Sequence, residues 1–322
     1  MKHVVRPDIL CSIACFLFAT SGMLCAQQHT LTYSQAKMEH PDWVQVPGEL
    51  IRPDCVHGIP NGATVEIGKD GEVSGDVRLN GVLIAHYDDC PEAPILTRPT
   101  AGSEGLAHDP GTGNGWVEAS NWLVDLGSGQ NLDEVAGNWK VPSPPSVNGA
   151  TIFFFNGMEP SDYAWILQPV LQYGVSAAGG GNYWAIASWL VGSKAYWSPL
   201  ETVNPGDSLR GYTKTTSVSN GTINWKVDAK DNTTGAYSYL DAYSTGYQWT
   251  WALAGVLEAY GITSCSDFPA NGKAVFTHSD AYDGWPNFDL LSPAGWQASY
   301  WNYGGPSCGF SVTAGTTSIL KF

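Results

Sequence analysis

The chain has 322 residues, 43% of them hydrophobic and only 14% charged, which is enough apolar material for one large domain or two small ones and too much for a disordered chain. Fifteen Lys and Arg stand against 30 Asp and Glu, a net charge of −15, the wrong sign for binding nucleic acid or an anionic membrane face. The 37 Gly and 20 Pro, about 18% of the chain, disfavour a helical protein, and the Ser, Thr, Tyr and Trp clusters between them point to β-structure.

Lys2, His3 and Arg6 precede an apolar run from Ile9 to Leu24, followed by Cys25, Ala26 and polar Gln27-Gln28. This is the layout of a secretory signal cleaved near Ala26; the run is short for a membrane span, and Gly-Met-Leu before Cys25 is a poor lipidation signal. Removing residues 1–26 takes Lys2, Arg6 and Asp8, so the mature chain carries about −16. Cys11, Cys15 and Cys25 leave with the signal. Cys55, Cys90, Cys265 and Cys308 remain, an even number in an exported chain, most simply paired 55–90 and 265–308, although four cysteines allow three pairings. Their spacing matches no zinc pattern, so no metal is expected.

Residues 27–114 form a first block, a small β-domain, a propeptide or a decoration on the main domain, in which Gly71–Tyr87 alternates as short strands. The stretch 97–115 has the composition of a linker. From Gly115 onward short apolar strands recur between turn residues: Thr151–Phe155, Ile166–Tyr173, Tyr183–Val191, Ser208–Thr215, Ile223–Val227, Tyr237–Leu240 and Lys273–Thr277. Asp231–Gly235 joins two of them as a hairpin. Leu253–Ala259 is the one helix candidate. Many short strands with regular turns predict a β-sandwich or barrel over 115–322, with a small β-rich extension before it.

Most familiar chemistry is absent. There is no H-E-x-x-H, P-loop or G-x-G-x-x-G. Gly305-Pro306-Ser307-Cys308-Gly309 fits G-x-S-x-G, but no His follows His278, so the Ser…Asp…His order fails. The alternating acids of a β-sandwich glycosidase are missing too.

What remains is an ordered series: Gly137-Asn138-Trp139-Lys140-Val141-Pro142, Ile166–Val175 (ILQPVLQYGV), Tyr183–Trp189, Val203-Asn204-Pro205-Gly206-Asp207-Ser208, Asp231–Gly235, Val256-Leu257-Glu258 and Phe268–Thr277. In this order the segments resemble the eqolisins, the glutamic peptidases, over roughly residues 115–280. The resemblance implies an antiparallel β-sandwich, a concanavalin-like jelly roll, and a secreted acid endopeptidase acting on polypeptides without a cofactor; a monomer is expected. It assigns the catalytic Glu to Glu258 and the catalytic Gln to Gln172, followed by the family's Gly-Val; Gln168, in Ile-Leu-Gln, is the alternative.

The chain departs from the family at Tyr183–Trp189, where Trp184 and Ser188 stand in place of two acids, and altered substrate binding by Trp184, Ser188 and Trp189 is the expectation. In such a dyad the Glu takes a proton from water and the Gln amide donates to the developing oxyanion. An ordinary Glu pKa of about 4.3 sets the working pH. The rival from another class is a non-catalytic secreted β-sandwich that binds carbohydrate through exposed aromatics, Trp184 or Trp189 first.

Overall fold

A computed structural model describes residues 33–68, 72–97, 115–127, 129–301 and 305–322. The expected signal segment and the linker but for Thr97 and Gly115 lie outside the described residues. One short helix, α1 (Tyr33–Glu39), precedes β1 (Val44–Val46), β2 (Glu49–Ile51), β3 (Val56–Gly58), β4 (Ala63–Ile67), β5 (Val73–Leu79), β6 (Val82–His86) and β7 (Ile95–Leu96). The long strands come next: β8 (Gly115–Leu123), β9 (Leu132–Lys140), β10 (Thr151–Pro160), β11 (Ile166–Ser176) and β12 (Gly179–Val191). After the short β13 (Ala195–Trp197) and β14 (Glu201–Val203) come β15 (Ser208–Ser219), β16 (Thr222–Asp231), β17 (Tyr237–Thr245), β18 (Trp249–Tyr260) and β19 (Lys273–Asp283). The chain closes through β20 (Asp289–Leu290), β21 (Gln297–Tyr300), β22 (Ser311–Thr313) and β23 (Thr317–Lys321).

Every strand expected from Thr151 to Thr277 is present, and most run longer than the apolar pattern alone marks. Two large sheets face each other. The first runs β21-β8-β18-β10-β11-β12-β13-β3, with β14 on β12; the second runs β22-β23-β19-β9-β15-β16-β17-β4-β5-β6, with β20 on β19. Pairing is antiparallel except where the N-terminal block enters: β3 lies parallel to β13 and β4 parallel to β17. The block is thus woven into both sheets. Val65, Ile67, Val73 and Val77 share one core cluster with Trp165, Tyr196 and Trp225. Buried Lys194 donates to Val73 O and to Asp89, and Tyr196 donates to Ser74 O.

The faces of the two sheets differ. In the second sheet β15 and β17 alternate buried and half-exposed residues, as an antiparallel sheet with one wet face does. In the first sheet β18 is buried at all twelve positions. One side packs into the inter-sheet core through Leu257 and Ala259. The other packs through Val256 and Tyr260 against Val46, Ile51 and Cys55 of the N-terminal block. Leu253–Ala259 is therefore strand, not helix: with both faces covered, no two-residue alternation survives in its sequence.

Cys55 bonds Cys90 and Cys265 bonds Cys308, with Cα–Cα separations of 5.7 and 5.5 Å. Such bonds suit an oxidising compartment. Among the described residues no helix is long and apolar enough to cross a membrane. The Gly305–Gly309 motif thus places Ser307 beside a disulfide cysteine.

Candidate active site

Three strands carry the residues singled out by sequence. β10 lies between β11 and β18, and Phe153 is the register partner of Gln172 on one side and of Glu258 on the other. Two strand spacings, about 10 Å of backbone, separate the two residues on one rung. Residues on one rung of a pleated sheet point to one face, so Gln172, Phe153 and Glu258 share the face that the N-terminal block covers. Gln168, four residues before Gln172 on β11, belongs to the same face.

Glu258 is fully buried. Its Oε1 accepts the Gly48 N–H at 2.8 Å and the Tyr260 hydroxyl. Tyr260 lies two residues further along the strand and shares the face. Its hydroxyl pKa is raised well above the ordinary value, first by burial and then by the charge of Glu258 and the hydrogen bond to it, so it remains a donor. The same hydroxyl meets Thr97 Oγ1 at 2.5 Å, and the Thr97 N–H donates to Gly48 O. Glu258 is thereby held in one orientation from two directions.

The two glutamines differ in what their amides do. Gln172 donates from Nε2 to Gly174 O at 2.9 Å and to Gly179 O at 2.8 Å, while its Oε1 accepts from Ser176. These bonds staple the turn between β11 and β12, where Gly174 has a φ of +89°. Gln168 is also fully buried, and its Nε2 donates to Pro47 O at 3.1 Å. Both amides donate to main-chain carbonyls, but those of Gln172 belong to its own hairpin and that of Gln168 belongs to the N-terminal block.

The expected substrate contacts need correction. Ala185, not Trp184, is opposite Gln172, so alternation turns Trp184 and Ser188 to the inter-sheet side. Trp184 packs there against Phe154 and Tyr173, and Ser188 donates to Ser238 O of the facing sheet. Trp189 shares the face of Glu258 but is fully buried beneath Trp197. Trp249 and Trp251 are core as well. Neither the Trp184 nor the Trp189 ring reaches solvent, so neither offers a surface to a peptide or a sugar.

Sequence reasoning missed Pro47, Gly48, Thr97 and Tyr260. Only Tyr260 carried a local signal, two residues beyond Glu258 on a strand; Gly48 lies 210 residues away in sequence. Among the described residues no group of three His, Cys, Asp or Glu is placed to hold a metal ion.

No protein-family model and no curated protein matches this chain. Solved structures similar to it include a scytalido-glutamic peptidase with a peptide-based transition-state analogue, at 16% identity over 64% of this chain and 98% of that one, TM-score 0.48. Another is SCP-B, a member of the eqolisin peptidases in complex with the tripeptide Ala-Ile-His, at 18% identity over 64% and 98%, TM-score 0.43. A carbohydrate-binding module of a phage Dit protein is similar at 10% identity over 52% and 83%, TM-score 0.26.

Proposed function

We propose that this chain is a secreted acid endopeptidase in which Glu258 is the general base and acid and a glutamine amide stabilises the oxyanion. The observation that carries the reading is the shared rung: Glu258 and Gln172 flank Phe153 on one face, with Gln168 on that face as a second amide. Glu258 as carboxylate takes a proton from water as the oxygen attacks the peptide carbonyl. The amide N–H meets the oxygen that gains charge, and the protonated Glu258 returns its proton to the leaving nitrogen. Tyr260 orients the carboxylate throughout. In this reading the N-terminal block is a structural extension of the 115–322 sandwich, since its strands β3 to β6 join the two large sheets.

The test is digestion of denatured casein between pH 2 and 7 by the chain and by Glu258→Gln, with fragments read by mass spectrometry. Cleavage in the acid part of that range that disappears in the variant is expected. Equal cleavage by both proteins removes Glu258 from the reaction.

A further inference from the structure

Two side chains of the site grip one and the same peptide bond. Gln168 Nε2 donates to the carbonyl oxygen of Pro47, and Glu258 Oε1 accepts the N–H of Gly48, the other polar end of that amide. Pro47-Gly48 is the two-residue turn between β1 and β2, closed by the Val46–Glu49 pair. Proline's fixed φ at the first corner and Gly48 at φ +91° at the second suit a turn of type II. In such a turn the central peptide unit belongs to neither strand ladder, so its C=O and N–H are free to bond outward. Here both bond inward to the sheet. The contact is also anchored from behind, since Gly48 O accepts the Thr97 N–H, and Gln45 Nε2 bridges Val46 O and Glu49 O.

We propose that the Pro47–Gly48 peptide unit is a resident ligand of the Glu258 site. It marks where a substrate backbone lies: carbonyl toward Gln168, N–H toward Glu258. Gln168 is then the amide that meets a bound carbonyl, and Gln172, whose amide hydrogens are committed to Gly174 and Gly179, shapes the wall beside it. The inference rests on the peptidase reading for its consequence, that the site excludes other polypeptides while the turn is seated. Withdrawal need not unravel the fold. The turn belongs to the separate three-stranded sheet β1-β2-β7, whereas β3 to β6 are built into the two large sheets.

Gly48→Pro tests this, because proline lacks the N–H that Glu258 accepts and cannot adopt a φ of +91°. The readout is labelling of Glu258 by a water-soluble carbodiimide and glycine ethyl ester on the folded, disulfide-intact protein. Glu258 is expected to resist labelling in the parent chain and to be labelled in the variant. A folded Gly48→Pro protein whose Glu258 stays unlabelled overturns the proposal. Labelled Glu258 with casein uncut upholds the resident ligand and defeats the peptidase reading instead. Should Gly48→Pro not fold, amide hydrogen exchange in the full chain decides: Gly48 N–H exchange is expected to quicken by about tenfold or more in Glu258→Ala. Equal exchange in both chains overturns the proposal.

Discussion

Glu118 on β8 offers a quantitative test of how the covered sheet is held together. It is fully buried, pairs across to Leu257 and Tyr300, and neither carboxyl oxygen has a hydrogen-bond partner among the described residues. Burial pushes its pKa up from 4.5 to about 9, so it is a neutral acid throughout the acid range. Between those two values the unfolded chain has released a proton that the folded chain keeps. The stability this group permits is therefore whole below pH 4.5 and is lost as pH rises toward 9, at about 1.4 kcal/mol per pH unit. From pH 4.5 to 7 the loss is about 3 kcal/mol. Glu118→Gln, neutral at every pH, removes this slope while other carboxylates keep theirs. Urea unfolding followed by tryptophan fluorescence at pH 4.5, 5.5 and 7 measures it, as the difference between the two proteins. Parallel stability curves for parent and variant would refute the reasoning.

Three further outcomes are expected from the same contacts. Tyr260→Phe removes a donor from a buried carboxylate and is expected to cost about 1–3 kcal/mol in urea unfolding, with kcat falling more than KM changes. Trp184→Ala is expected to destabilise by about 3–5 kcal/mol, since the ring fills the inter-sheet core; an unchanged unfolding midpoint with weakened substrate binding would return Trp184 to the site. Replacing Cys55 and Cys90 together by Ser frees a loop closed at a separation of 35 residues, and unfolding is expected to ease by about 4 kcal/mol.

Much of the fold is legible in the sequence because one sheet has a wet face. Strands such as β16 and β17 alternate, and the Asp231–Gly235 turn between them announces itself through Asp, Asn and Gly. The cysteine pairs are legible from proximity in the chain. β18 is not legible by the same logic: Ala, Leu and Glu at positions buried on both sides read as helix, and the layer that covers them includes Gly48, 210 residues before Glu258. The site follows the same division. Glu258 and Gln172 stand in local motifs, whereas what separates Gln172 from Gln168 is the carbonyl each amide meets. That depends on where the fold brings Gly174 and Gly179 to Gln172, and Pro47, 121 residues away in sequence, to Gln168. Trp184 and Ser188 fail as contacts for a simpler reason: they stand one residue out of phase with the face that carries Glu258.

The most direct measurement pairs Gly48→Pro with Gly48→Pro/Glu258→Gln on denatured casein at pH 4, with fragments counted by mass spectrometry. If Glu258 is the base and the Pro47–Gly48 turn its resident ligand, the first protein cleaves faster than the parent chain and the second does not cleave. Equal cleavage by both variants would contradict this.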